Sequence, residues 1–376
     1  MNLSYWEIKS WLTDVDFTIV GSGIVGLNCA LQLKNRFPKA KVLILEKGIL
    51  PQGASTKNAG FACFGSLSEL IEDLKTHSEA EVFNLVNQRV EGLHLLRQTL
   101  GDDNIDYQEL GGYELFTKAD EVLYEECLQR KDAINKLLKP IFNTCVFSFK
   151  EDSFGFQNIQ SKQGFNQFEG QIDTGKMMSA LLQLVYQKGI KILNATTVES
   201  FSEDSNSVKV KTNHFEFTTS KLLIATNGFA SKLLDENLNL DYRVKPARAQ
   251  VLITEPIKNL KIKGTFHLEK GYYYFRNIDN RILFGGGRHL DFKAEETTEL
   301  AQTELVKNKL KELLETTILP NQNVNIDQYW SGIMGVGSQK KPIVKQLSNN
   351  VFCGVRLGGM GVAIGSLVGK ELADLV

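Results

Sequence analysis

Asp16-Phe17-Thr18-Ile19-Val20-Gly21-Ser22-Gly23-Ile24-Val25-Gly26 is the stretch on which the reading of this chain turns. Phe17 to Val20 form a short, largely apolar run ended by glycine, the pattern of a buried parallel strand. Gly21, Gly23 and Gly26 fall at G-x-G-x-x-G spacing, and Ile24 to Leu33 repeat apolar residues at a helical period. The three glycines serve different ends. The first makes the tight turn, the second lets backbone approach a pyrophosphate, and the third lets helix and strand pack closely. Free amides at the helix start suit phosphate oxygens. The passage predicts a dinucleotide-binding turn.

Lys41-Val42-Leu43-Ile44-Leu45 reads as a second short strand, and Glu46 follows it, twenty residues beyond Gly26. A carboxylate at that spacing can take both hydroxyls of an adenosine ribose and repels a 2′-phosphate, which favours FAD or NAD over NADP. The plain alternative, a chance glycine turn followed by a solvated glutamate, has to explain why strand, glycines, helix, strand and acid occur in this order.

At 376 residues the chain has room for two domains and a sizeable core. Hydrophobic residues make up 42% and charged residues 23%, ordinary values for a soluble globular protein. Lys+Arg 43 against Asp+Glu 44 leaves a net charge of −1, which gives no electrostatic footing for nucleic acid or an anionic membrane. The expected partners are small molecules or neutral protein surfaces. Cys29, Cys63, Cys127, Cys145 and Cys353 are odd in number and contain no C-x-x-C pair, so they read as reduced packing residues, and no metal site is expected. The acidic N-terminal region does not read as a secretory signal, and no run of about 18 apolar residues could span a bilayer. A cytoplasmic location is expected.

Along the chain, Tyr5, Trp6, Ile8, Trp11 and Leu12 suggest a leading amphipathic helix that packs on the first domain. The glycine-containing loop Gly53 to Phe61 allows close backbone approach to a ligand. Residues 67–100 read as helical, 105–117 as a strand pair, and 119–138 as a helix. Asp173 caps a helix over 174–188, followed by strands at 190–193, 198–201 and 221–225. Residues 241–334 are strand-rich, at 248–254, 272–276, 281–287 and 326–333, with a helix near 296–315. Strand Val351 to Val355, the turn Gly358-Gly359-Met360-Gly361 and a final helix close the chain; a helix start after flexible glycines suits a group that gains negative charge.

Taken in order, the Gly21–Gly26 turn with Glu46, Gly53-Ala54-Ser55-Thr56-Lys57-Asn58-Ala59-Gly60, Ala225-Thr226-Asn227-Gly228, Trp330-Ser331-Gly332 with Lys341-Pro342, and Gly358-Gly359-Met360-Gly361 resemble the D-amino-acid-oxidase-like superfamily of FAD-dependent oxidoreductases, which includes glycine, sarcosine and gamma-glutamylputrescine oxidases. The resemblance runs over nearly the whole chain. It implies a mixed α/β architecture: a Rossmann-like FAD-binding domain (1–75, 161–240 and 335–376) and a discontinuous, antiparallel-sheet substrate domain (76–160 and 241–334). It also implies cofactor contacts from Gly21, Ser22, Gly23 and Gly26 to the pyrophosphate and from Glu46, with neighbouring Lys47, near the ribose. Ser55, Thr56, Asn58 and Ala59 are implied at the phosphates and flavin edge, Val198 at the adenine, Gly228 beside the cofactor, and Gly359, Met360 and Gly361 at the flavin pyrimidine.

On the substrate side the resemblance places Tyr272, Arg288 and His289, with Arg288 suited to a carboxylate because its fork binds both oxygens. Two positions depart from the family pattern. Met334 stands where the glycine-oxidase branch has a carboxylate-binding arginine, and Gly285 or Gly286 where the sarcosine-oxidase branch has its oxygen-activating lysine. No cysteine lies within 336–342, so FAD is expected to be non-covalent. The implied activity is oxidation of the C–N bond of an amine or amino acid by hydride transfer to flavin N5, with oxygen or another acceptor taking the electrons. The alternatives are oxidation of a 2-hydroxy acid on the same scaffold, a nicotinamide dehydrogenase, and a non-catalytic dinucleotide-binding protein.

Overall fold

The computed structural model describes residues 2–234, 243–320 and 322–376. Its core is built on the strand Val15–Val20, which lies parallel between Glu216–Ile224 and Val42–Leu45. Lys191–Leu193 extends this sheet on one side. Val351–Val355 and the antiparallel edge strand Ile343–Gln346 extend it on the other. A hairpin of Val198–Glu203 and Val208–Thr212 pairs antiparallel with the first half of Glu216–Ile224. The central strands are buried on both faces and accordingly read as continuous apolar runs.

One face of this sheet is covered by the helices Ile24–Arg36, Thr174–Gln187 and Gly361–Asp374, with the end of Glu79–Leu100. Leu12, Val208, Val210 and Phe217 help to close the other. Burial of each fully covered Leu, Ile or Val in these layers contributes about 1.5–3 kcal/mol. Close crossing of helices depends on small residues: a Cβ on Gly369 would stand 2.7 Å from the Val25 carbonyl oxygen, and one on Gly365 would stand 2.8 Å from Ile24 Cγ2.

A second eight-stranded sheet runs Ile326–Val336, Lys245–Thr254, Arg281–Gly286, Tyr273–Ile278, Thr265–Leu268, Gly112–Leu115, Lys162–Asn166 and Phe147–Glu151. All its neighbours are antiparallel except Thr265–Leu268 with Gly112–Leu115. Phe266, Phe275 and Phe284 on one face pack with Leu310 and Leu313 of the helix Glu304–Leu313. The opposite face carries a continuous cross-strand row: Glu114 beside His267, then Tyr274, Gly285, Val251 and Trp330. That row looks onto Ala59 and Phe61, so the two sheets meet through the loop that follows Glu46.

The mixed α/β class is as the sequence predicts, with several elements placed differently. The expected strand pair at 105–117 is a single strand, Gly112–Leu115, preceded by the helix Asp102–Ile105, whose first turn is acidic. Its sheet partners come from Lys162–Asn166 and Thr265–Leu268, distant in sequence. The helix expected near 296–315 begins only at Glu304, because the preceding segment is held down by Glu295, which accepts from Arg248 Nε at 2.7 Å and Gln250 Nε2 at 2.7 Å. The leading segment forms a helix Tyr5–Glu7 and a π turn Ile8–Leu12; Leu12 is buried and Trp11 packs on the core, while Tyr5, Trp6 and Ile8 are exposed. Val208–Thr212, Thr265–Leu268 and Ile343–Gln346 are strands beyond those the sequence predicts. The expected domain boundary at 240/241 lies outside the described residues.

Candidate active site

A cavity of about 710 Å³ opens past the C-terminal ends of Val15–Val20 and Val42–Leu45 and continues to the inner face of the second sheet. Ligands of open parallel sheets bind at this end of the strands. Gly21 turns the chain there with φ +105°, a region that side chains avoid, and a Cβ would stand 2.9 Å from the Ala225 carbonyl oxygen. A Cβ on Gly26 would run into the Gly21 carbonyl, so this third glycine sets the crossing of helix over turn. Gly23, the N-cap of the helix Ile24–Arg36, has no side chain to offer its first turn. Ser55 Oγ accepts from the Ile24 amide at 2.9 Å, which leaves the serine proton for a ligand oxygen.

Glu46 is buried and fixed in advance. Its Oε2 accepts from the Ser22 amide (3.0 Å) and hydroxyl (2.7 Å), and its Oε1 accepts from the Gly48 amide (2.9 Å). Beside it, Lys47 Nζ lies 3.2 Å from the centre of the Phe229 ring; burial and then Lys232 lower its pKa. Asn58 locks the following loop: its amide donates to Ser55 O at 2.8 Å, while its Oδ1 accepts from Gly60 N and Thr174 Oγ1, each at 2.8 Å. Trp330 Nε1 donates to Lys57 O at 2.9 Å, and Arg276 Nε donates to Ala59 O. Arg276 Nη2 also reaches Ile172 O at 2.9 Å, and burial brings its pKa down to about 10.

At the far end, Gly358 and Gly359 take φ +58° and +85°, and Met360 N-caps the helix Gly361–Asp374 without a side-chain bond. The first turn of that helix lines the cavity through Gly361 and Val362. Among the described residues, apart from its two chain neighbours, nothing lies within 4 Å of where a Gly53 Cβ would stand, so this side of the cradle is open.

Of the residues expected at the site, Gly21, Gly23, Glu46, Lys47, Ser55, Asn58, Ala59, Val198, Gly359, Met360, Gly361, Tyr272 and Arg288 line the cavity. Ser22, Gly26, Thr56, Gly228 and His289 stand behind its wall. Ser22 holds Glu46, Thr56 donates to Pro51 O at 2.8 Å, and Gly228 packs on the Met334 backbone. His289 Nε2 is 3.0 Å from Glu269 Oε2, and its Nδ1 is buried without a partner among the described residues.

Arg288 has no hydrogen bond or ion pair among the described residues. Its guanidinium lies over the Tyr272 ring at 5.4 Å and the Phe292 ring at 5.1 Å. The Tyr274 ring fills the place where a Gly285 side chain would project: a Cβ there would be 2.7 Å from Tyr274 Cε2. Burial pushes the Tyr274 hydroxyl up to about 12, against the opposing effect of Arg288. Cys63 also reaches the wall, but burial and the nearby Glu169 and Glu69 raise its thiol pKa well above normal, so it is no nucleophile. Among the described residues no group of three or more His, Cys, Asp or Glu could hold a metal ion, and no helix is long and apolar enough to cross a membrane.

Sequence reasoning missed His267 and Tyr274 on the wall. A period-two reading of Thr265-Phe266-His267-Leu268 would have put His267 on the face opposite the buried Phe266 and Leu268.

The chain is 23% identical to the probable oxidoreductase OrdL of Haemophilus influenzae, covering 96% of this chain and 82% of that one. It is 23% identical to the gamma-glutamylputrescine oxidoreductase of Escherichia coli K12, covering 96% and 83%. Its fold matches a glycine oxidase from Bacillus cereus with a TM-score of 0.76 at 19% identity, over 96% of this chain and 97% of that one. The DAO model, described as FAD dependent oxidoreductase, matches residues 16–375. A glycine cradle open to a phosphate, a buried and pre-aimed Glu46 and a cavity that spans both sheets fit FAD. The chain therefore belongs to the DAO family of FAD-dependent oxidoreductases.

Proposed function

We propose that this protein oxidises the C–N bond of a small amine or amino acid that carries an acidic group. The observation that carries this reading is Arg288, a guanidinium on the cavity wall with no ionic partner among the described residues, shaped to grip a carboxylate with two parallel bonds. The names of the relatives, an oxidoreductase of gamma-glutamylputrescine and a glycine oxidase, point to the same bond. In this reading the first sheet and its helices form the cofactor domain and the second sheet the substrate domain.

Ser55, the amides that open Ile24–Arg36, Glu46 and the turn Gly359–Gly361 would hold the cofactor. FAD, when bound, supplies a two-electron acceptor. The chain's own residues bind and orient: Arg288 takes the acid, the Tyr272 and Tyr274 rings wall the space beside it, and the low polarity of that wall excludes water. No side chain on the wall is needed to remove a proton from carbon. Cys63 on the wall is buried and unactivated, which supports non-covalent FAD. Five free cysteines are in keeping with a reducing cytoplasm.

The test is the visible spectrum of the purified protein, before and after denaturation, followed by anaerobic titration with acidic amines, amino acids and 2-hydroxy acids. A flavin spectrum released into the supernatant and bleached by an acidic amine or amino acid is the expected result. Bleaching by 2-hydroxy acids alone would replace this reading by its alcohol-oxidising counterpart, and a protein that takes up no FAD would remove both.

A further inference from the structure

His267 is only 5% exposed and lines the cavity. Its Nε2 stands 2.5 Å from Glu169 Oε1, and the same oxygen accepts from Thr265 Oγ1 at 2.8 Å. Glu169 is fully buried, and Gly112 lies so close to its carboxylate that any Cβ there would collide with it. The Phe61 ring meets the imidazole edge-on at 5.3 Å and fixes its plane. That leaves Nδ1 as the ring nitrogen with no partner among the described residues.

The groups facing this imidazole are Glu169, Glu114 on the adjacent strand, Glu69 on the helix Leu67–Asp73, and the Phe61 and Tyr274 rings. Burial alone would depress the imidazole pKa; Glu169 first, then Glu69 and Glu114, hold it up at about 9. The ring is therefore a cation at neutral pH, and Nδ1 carries a proton to donate. In the cross-strand row His267 neighbours Tyr274, which neighbours Gly285, three residues before Arg288. Two strand spacings, ~10 Å, separate the backbones of His267 and Gly285, and Arg288 follows in the turn Arg288–Asp291 just past the end of that strand.

We propose that His267 is a second anion-binding residue of this site, so that the substrate carries two acidic groups, one held by Arg288 and one by His267 Nδ1. Glu169 is its positioning residue, turning the ring and keeping it charged. The inference rests on the reading of Arg288 above and deepens it, from an acidic amine or amino acid to one with carboxylates at both ends.

The test uses the FAD-loaded enzyme with glutarate and butyrate as probes, followed by perturbation of the flavin absorption spectrum. The wild type is expected to bind glutarate about tenfold more tightly than butyrate, the size of one charge-assisted hydrogen bond. His267→Gln should erase that preference while butyrate and FAD bind as before. A preference for glutarate that survives the substitution, or its absence from the wild type, overturns the inference and leaves the Arg288 reading standing. Loss of FAD affinity instead of glutarate affinity also overturns it, because the histidine then serves the cofactor. A holoenzyme that responds to neither acid removes both readings.

Should His267→Gln not fold, wild-type holoenzyme labelled with ¹⁵N-histidine gives the answer directly, with signals assigned by substituting His77, His94, His214 and His289 in turn. Glutarate, and not butyrate, should shift the ring nitrogens of the remaining histidine; an unmoved signal overturns the proposal.

Discussion

The hydroxyl of Ser22 donates to Glu46 Oε2 at 2.7 Å, so the middle residue of the glycine turn aims the acid that ends the next strand. The Ser22 amide donates to the same oxygen at 3.0 Å. Removing the hydroxyl leaves the carboxylate buried with one donor fewer, and a hydrogen bond to a charged group contributes about 1.5–3 kcal/mol. Ser22→Ala should therefore weaken FAD binding by about tenfold or more, read by flavin fluorescence during reconstitution of the apoprotein. Unchanged affinity would show that the amides of Ser22 and Gly48 suffice to hold Glu46.

Gly26 tests the frame rather than the ligand. A Cβ at this position strikes the Gly21 carbonyl, and neither helix nor strand can move without disturbing the core on both faces. Gly26→Ala should cost about 1–3 kcal/mol, the usual range for overpacking, and lower the thermal midpoint of the apoprotein as well as the holoprotein. A loss confined to the holoprotein would mean that the glycine is needed only for FAD.

The half proposed to hold the cofactor is legible in the sequence because its signals are local. Gly21, Gly23, Gly26 and Glu46 lie on consecutive elements, and their spacing is dictated by one turn, one helix and one strand. Ser22 differs in detail: composition cannot tell a hydroxyl that faces a ligand from one that faces Glu46. The half proposed to hold the substrate depends on pairings between distant segments. Gly112–Leu115 meets Thr265–Leu268 from far along the chain, and only that register puts Glu114, His267, Tyr274 and Gly285 in one row. His289 stands next to Arg288 in sequence, yet its ring turns to Glu269.

Arg288→Ala removes the guanidinium without touching any hydrogen bond among the described residues, so the fold and the cofactor site should be indifferent to it. With a substrate in hand, KM should rise about tenfold to a hundredfold while FAD affinity stays the same. Arg288→Lys should recover only part of the loss, because an ammonium cannot grip both carboxylate oxygens. Unchanged KM in Arg288→Ala would take the residue out of substrate binding.

His267 and Glu169 also make stability depend on pH. The folded-state pKa of about 9 lies above the ordinary value of 6.5, so the folded chain holds a proton that the unfolded chain has released at intermediate pH. The stabilisation is fully present below about pH 6.5 and is lost as pH rises through about 9, with a total on the order of a few kcal/mol. The denaturant midpoint of the protein should fall across this window. In Glu169→Gln the partner charge is gone and the imidazole can be buried neutral, so the fall should flatten even though the variant is less stable at about pH 6, below the ordinary histidine pKa. A fall that persists unchanged in Glu169→Gln would assign the pH dependence to other groups and remove the charged pair from the account.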